Sequence, residues 1–397
     1  MTSTNVSALF DSYDSISIES LQAKGTTKWS AQPGAIGAWI AEMDFPLAEP
    51  VVRSIVKMLA AGTVAYSPAS DFTELGRAYT QFCQRSYGWA PPAELVRAIP
   101  DVLAGLQAVI ERYTRPGSPV IVPTPAYMPF LTLPTYFGRE VLQVPLVEDP
   151  AQDRGVYDLD ALAAAFDAGA ELLVLCNPHN PVGRVLERDE LLAIADVVEG
   201  KGGLVFNDEI HAPLVYPGAT HVSYASLDER TAAHTITATS ASKAFNLPGL
   251  KCAQISFTNP DHAVTWEKAG RWIGASRPGI FANIAAYDEG GEWLAGVRAY
   301  LDRNRQALSG LVAEHLPGVG YREPEGTYLA LLDFRGLADV LGEHTDNPAA
   351  FFQEEANVVL TPGTACGDAA KGFARLNFGT PLPVLQEAIR RMGAALG

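Results

Sequence analysis

Cysteine is scarce: Cys83, Cys176, Cys252 and Cys366 are the only four in 397 residues, stand far apart and form no CxxC pair. This excludes a disulfide scaffold and matches the reduced, mostly buried thiols of a cytoplasmic chain. Long apolar runs are missing as well, none approaching the roughly 18–20 residues a membrane span requires. Residues 1–20 carry neither a basic n-region nor an apolar h-region, so no secretory leader is expected. Basic blocks are absent too. With 29 Lys and Arg against 45 Asp and Glu, the formal charge is −16. That balance argues against nucleic acid or an anionic membrane as partner, and otherwise speaks to solubility.

Several enzyme signatures are lacking. There is no GxxxxGKS/T loop, no GxGxxG after a strand, no GxSxG elbow and no HExxH pair. No zinc or nucleotide enzyme is indicated, and no metal site is expected. Of the seven histidines, only His179 and His211 sit in a suggestive local sequence.

Hydrophobic side chains make up 48% of the chain, enough for a large core, and the length suggests two or three domains. Short apolar or β-branched runs recur at Val120–Val122, Val141–Val144, Leu172–Cys176, Leu204–Phe206, Thr235–Thr237 and Ala253–Phe257, each bounded by turn residues. Between two of them, Leu191, Leu192, Ile194, Ala195 and Val198 fall at helical spacing within Glu187–Glu199. Strand, helix, strand in this rhythm predicts an α/β fold with a mixed, mostly parallel sheet covered on both faces. The last third differs. Trp293 to Val312 reads as a long amphipathic helix, Tyr328–Phe334 as a strand and Leu385–Leu396 as a closing helix. The expected division is a large domain over 48–289 and a smaller α+β domain from 1–47 and 290–397.

Three segments at strand ends carry candidate chemistry. Cys176–Gly183 (CNPHNPVG) has two Asn-Pro steps that force a turn before the next helix. Asn207–His211 (NDEIH) sets Asp208 just past a strand, and Thr239–Asn246 (TSASKAFN) sets Lys243 after another. Carboxyl ends of parallel strands are where open α/β sheets bind ligands. Asn180, Asp208 and Lys243 are therefore expected to serve one crevice.

In these segments the chain resembles the fold-type I pyridoxal-phosphate (PLP) enzymes, the aspartate-aminotransferase superfamily. More narrowly, it is similar to the cystathionine β-lyase (C–S lyase, MalY/PatB-like) branch. The branch-level likeness runs through Trp39–Phe45 (WIAEMDF), Ala65–Ser67 (AYS), Thr124–Phe130 (TPAYMPF), Asp208–His211 (DEIH), Ser242–Leu250 (SKAFNLPGL), Gly326–Ala330 (GTYLA) and Ala374–Asn377 (ARLN). The resemblance as a whole runs from about Trp29 to Leu396.

The resemblance implies a role for each matching residue. Lys243 would hold PLP covalently through its ε-amine and take the Cα proton of an amino-acid substrate. Asp208 would pair with the pyridine nitrogen, Asn180 would donate to the phenolic oxygen, and Tyr127 would stack on the ring. For the phosphate, the resemblance and a helix predicted to open at Asp101 together point to the amides of Val102 and Leu103. Ser240, Ser242 and Lys251 would assist them, Ser240 being the better match of the two serines. Arg375 would bind the substrate α-carboxylate. Tyr66 would reach the phosphate of a neighbouring subunit, implying a homodimer with shared sites. Three positions depart from the pattern. His211 stands where many aminotransferases have Tyr, which leaves its role open between tuning the phenolic oxygen and packing. Lys251 replaces the usual Arg and cannot form a bidentate clamp. Glu42 stands where the branch commonly has Asp.

The reaction implied is β-elimination of cystathionine or a related S-substituted cysteine to pyruvate, ammonia and a thiol. Two alternatives stay open: an aminotransferase acting on an aromatic or apolar amino acid, and a PLP-holding regulatory or interaction protein.

Overall fold

Seven strands build the main sheet of the computed structural model: β1 (Val96–Ile99), β2 (Val120–Thr124), β3 (Val141–Pro145), β4 (Leu172–Cys176), β5 (Leu204–Asp208), β6 (Thr235–Thr239) and β7 (Ala253–Phe257). The structure describes residues 3–149, 154–269 and 274–397. The spatial order is β1-β7-β6-β5-β4-β2-β3. From β6 to β3 every pairing is parallel, and β7 runs antiparallel to both of its neighbours. This is the mixed, mostly parallel sheet that the strand–helix rhythm predicts.

Alternation along the strands explains the two layers of core. Val120, Val122, Leu172, Val174, Phe206, Ile236 and Ile255 bury one face together with Leu106, Val109 and Ile110 of the Val102–Tyr113 helix. Ile121, Leu173, Leu175 and Val205 bury the other against Leu162 and Phe166, and against Leu191, Ile194 and Val198 of the Arg188–Gly200 helix. A side-chain period of two with both faces apolar is what a doubly covered sheet requires. Glu187, expected inside that second helix, is instead its cap: Glu190 reaches back to the Glu187 amide at 2.9 Å.

The chain divides into two units: Leu47–His179 with Val185–Gly291, and Met1–Pro46 with Asn180–Arg184 and Glu292–Gly397. The expected boundaries lay at 48 and 289 and kept 180–184 in the large unit; the structure assigns that short segment to the other one. The reason is local bonding, because the Gly183 carbonyl accepts from the amides of Glu325 (2.8 Å) and Gly326 (2.9 Å). A Cβ at Gly183 would also meet Pro324 at 2.2 Å. The second unit holds an antiparallel sheet of β8 (Gly320–Tyr321), β9 (Leu329–Asp333), β10 (Thr361–Pro362) and β11 (Phe373–Asn377), in the order β8-β9-β11-β10. Its long helix, Gly291–His315, buries Leu294, Val297, Tyr300, Leu301, Leu308 and Val312. Tyr300 packs with Phe10, Tyr13 and Phe45, tying the first helix, Ser3–Asp14, to this core. Among the described residues no helix is long and apolar enough to cross a membrane.

Candidate active site

The parallel strands of the main sheet end at four chemically loaded turns. Asp208 is the last residue of β5, paired with Cys176 and Ala238, rather than lying just past the strand. The ladder extends because the Asn177 amide donates to the Asp208 carbonyl (3.0 Å) and the Glu209 amide to Ala238 (2.9 Å). The Asp208 side chain is 4% exposed. Burial pushes its carboxyl up to about 7; the Ile210 amide, 3.0 Å from Oδ1, and the positive charge of Lys243 pull it down, while Glu209 adds to the rise. A cationic N–H donor against this group would favour its ionised form.

Lys243 sits on the short Ala241–Ala244 helix that follows β6, and its side chain is half-buried. Ser240 caps this helix: its Oγ accepts from the Ser242 amide (2.9 Å) and donates to the Cys252 carbonyl (2.6 Å). Both functions of the Ser240 hydroxyl are thus spent within the protein. Ser240, the better match of the two serines in sequence, serves here as a helix cap. Asn283 adds a support that the sequence did not reveal, its Oδ1 accepting from the Ala241 amide at 3.1 Å.

After β1, an edge strand of the main sheet, Asp101 caps the Val102–Tyr113 helix, taking the Ala104 amide on Oδ1 at 2.8 Å. The amides of Val102 and Leu103 open the same turn. Lys251 brings its ammonium to that turn through an ion pair with Asp101 Oδ2 at 3.1 Å. A helix N-terminus with a cation beside it is suited to an anion. Tyr127 caps the Met128–Tyr136 helix after β2, half-buried, with its ring edge-on to Phe130. His211 is buried below Asp208 in sequence, at the start of a 3-10 turn. Tyr66 differs from all of these. It is 98% exposed, in a turn whose Thr63 carbonyl is held by Arg277, which also pairs with Asp71 at 2.7 Å.

In the second unit, Arg375 lies in the middle of β11 and is 2% exposed. Nη1 donates to Asn180 Oδ1 (3.1 Å), and Nη2 donates to the Trp39 carbonyl (2.8 Å) and Thr361 Oγ1 (3.0 Å). These bonds fix the plane of the guanidinium fork. With its carbonyl oxygen engaged by Arg375, Asn180 keeps its amide nitrogen as donor.

The irregular segment Trp39–Asp44 is held by side chains. Tyr328 donates to the Ala41 carbonyl (2.8 Å), and Asn377 Nδ2 to Ile40 (2.6 Å) and Glu42 (2.7 Å). Lys28, itself buried, bonds the Glu42 carbonyl (3.1 Å) and pairs with Asp44 at 2.7 Å, while Trp29 donates to Asp44 Oδ1 at 2.8 Å. Glu42 thus lends its backbone to this frame, and its side chain is half-buried.

Residues 40–392 match the family of class I and II aminotransferases. The chain belongs to that family. It is 38% identical to a cystathionine β-lyase of Corynebacterium glutamicum, over 96% of this chain and 99% of the relative. Among solved structures it resembles a putative PLP-dependent β-cystathionase of Corynebacterium diphtheriae, with a TM-score of 0.88 and 36% identity over 96% of this chain and 98% of that one. It also resembles cystalysin of Treponema denticola, which contains a pyridoxal 5′-phosphate cofactor, with a TM-score of 0.87 and 29% identity over 94% and 96% of the two chains. These likenesses show the fold of the class I and II aminotransferases.

Proposed function

We propose that this chain is a PLP-dependent C–S lyase that performs β-elimination on cystathionine or a related S-substituted cysteine, releasing pyruvate, ammonia and a thiol. The observation that carries this reading is the near full-length likeness to a cystathionine β-lyase at 38% identity. The residues present fit the cofactor. A buried carboxyl held up to about 7 beside a lysine suits a pyridine nitrogen, and a capped helix N-terminus with Lys251 suits a phosphate.

When bound, PLP supplies an electron sink for the charge left on the substrate Cα. Lys243 would hold the cofactor through its ε-amine and would serve as the base for the Cα proton; a positioned base of this kind contributes about 10²–10⁴-fold. Asp208 would pair with the pyridine nitrogen and favour its protonated form, Asn180 would donate to the phenolic oxygen and Tyr127 would cover the ring. For the phosphate we assign the amides of Val102 and Leu103, Ser242 and Lys251, with Ser240 shaping the turn. Arg375 holds the substrate α-carboxylate by its fork, keeping the reacting Cα oriented. His211 is assigned to packing and tuning near Asp208.

A homodimer belongs to this proposal. Val52, Val56, Leu59 and Val64 are exposed together with Tyr66 over one stretch of chain, which supports burial against a second copy. Tyr66 would then serve the neighbour's phosphate. A cytoplasmic setting is supported by four cysteines that are all buried and unbridged.

The test is a substrate panel with added PLP: cystathionine, cystine, cysteine and aromatic amino acids, read for pyruvate, thiol and other keto acids. Pyruvate is expected in equal amount with the sulfur product, a thiol from cystathionine, sulfide from cysteine and a persulfide from cystine. Keto acid that forms only with an amino acceptor, without thiol, would move the activity to aminotransferase. Turnover far below about 1 s⁻¹ on every compound would favour a regulatory protein that holds PLP.

A further inference from the structure

His179 has no part in the reading above, yet it is buried with polar partners at both ring nitrogens. Nε2 lies 2.7 Å from the Pro125 carbonyl and Nδ1 lies 3.2 Å from the Tyr157 hydroxyl. A carbonyl can only accept, so Nε2 carries the hydrogen. In the neutral ring Nδ1 then accepts from the tyrosine, and Tyr157 selects the tautomer that can bond Pro125.

What this bond connects gives it meaning. Pro125 stands two residues before Tyr127, in the turn after β2, and as a proline it offers no N–H of its own. On the other side, Asn177 is bonded to the end of β5 through its amide and the Asp208 carbonyl (3.0 Å). The Asn177 side chain anchors the same turn, accepting from the Leu186 amide (3.0 Å) and donating to the Val222 carbonyl (3.3 Å). The tripeptide Asn177–His179 is therefore tied at one end to Asp208 and at the other to the turn that carries Tyr127.

The geometry points to His179 as a positioning residue: a clasp across the ends of β2, β4 and β5 that sets Tyr127 relative to Asp208. This rests on the proposed function only in taking Tyr127 and Asp208 as the two residues that hold the cofactor ring. A rigid ring with its donor on the far nitrogen suits such a spacer, because it has few rotamers to lose when it bonds. Removing it leaves a partly buried carbonyl without its donor, a cost that falls on the Tyr127 turn first.

The experiment begins on the apoprotein, by amide hydrogen exchange. His179→Ala is expected to speed exchange at Ala126, Tyr127 and Met128 by about 3–10-fold, the effect of one lost hydrogen bond, and leave β4 unchanged. Tyr157→Phe should act in the same direction more weakly, and His179→Gln, which keeps an N–H donor, should recover much of the protection. In the holoprotein, His179→Ala should alter the visible circular dichroism of bound PLP and speed its release severalfold. Unchanged exchange at 126–128 in folded His179→Ala protein overturns the inference, as does equal loosening throughout the sheet. If His179→Ala does not fold, Tyr157→Phe decides by the same readout. A wild-type chain that binds no PLP would sink the proposed function, while the apoprotein exchange would still judge the clasp.

Discussion

Buried charge is treated differently in the two units. In the unit of Arg375, the protein supplies the partners: Lys28 closes on Asp44 at 2.7 Å, and the Arg375 fork is oriented by Asn180, Trp39 and Thr361. In the sheet unit, Asp208 is buried with its carboxyl raised to about 7 and only partly offset by the Ile210 amide and the Lys243 charge. The first arrangement closes one ion pair, Lys28 with Asp44, and sets the plane of Arg375 with neutral acceptors. The second becomes favourable when a cationic N–H arrives from outside, which is the mark of a group held ready for a ligand.

Four changes probe that contrast. Lys243→Ala should have the largest effect, abolishing the yellow colour of the holoprotein and lowering turnover by at least about 10³-fold. A retained visible band with full activity would remove Lys243 from the site altogether. Arg375→Lys should come next, lowering kcat/KM by about 10²–10³-fold, chiefly through KM, while PLP release stays as in the wild type. Faster PLP release in that variant would mean that the arginine serves the cofactor as well.

Asp208→Asn should separate the ligand-free and ligand-bound states. The folded carboxyl titrates at about 7 against an ordinary 3.8, so the folded apoprotein holds this proton more tightly than the unfolded chain. The contribution of Asp208 is therefore most favourable below pH 3.8 and declines as pH rises towards 7, by up to about 1.4 kcal/mol per pH unit. Removing the carboxyl should raise the apoprotein Tm at pH 8 relative to the wild type, with the gap closing towards pH 4, and should weaken PLP binding. A Tm difference independent of pH would show that Asp208 does not titrate in this range. Lys251→Ala should have the smallest effect. Its pair with Asp101 is largely exposed, so PLP affinity should fall only severalfold, and less at high salt, measured by titrating apoprotein with PLP.

Much of the sheet was legible because its strands are short, apolar and closed by turn residues. Ala253–Phe257 and Leu172–Cys176 stand where their composition puts them, and Leu204–Phe206 extends to Asp208. What stayed hidden depended on bonds between distant residues. The placement of 180–184 turns on amides at Glu325 and Gly326, and Ser240 is engaged by Cys252. The motif Trp39–Phe45 was readable as a string, but the side chains that hold its carbonyls come from Lys28, Tyr328, Asn377 and Arg375. For the candidate site, the strand-end location followed from pattern, while the individual roles rested on the family resemblance. His179 shows the limit: its ring chemistry was visible in the sequence, and its bond to Pro125 was not.

The frame around Trp39–Asp44 also sets an order of assembly during synthesis. Ile36 and Gly37 pair with Val358 and Val359, and the carbonyls of Ile40 and Glu42 wait for Asn377. At translation rates of roughly 5–20 residues per second, the N-terminal segment emerges roughly twenty seconds to a minute before its partners exist. Every strand of the main sheet lies between those two ends of the chain. The sheet bearing Lys243 and Asp208 can therefore close on the ribosome before the frame around Arg375 has its partners.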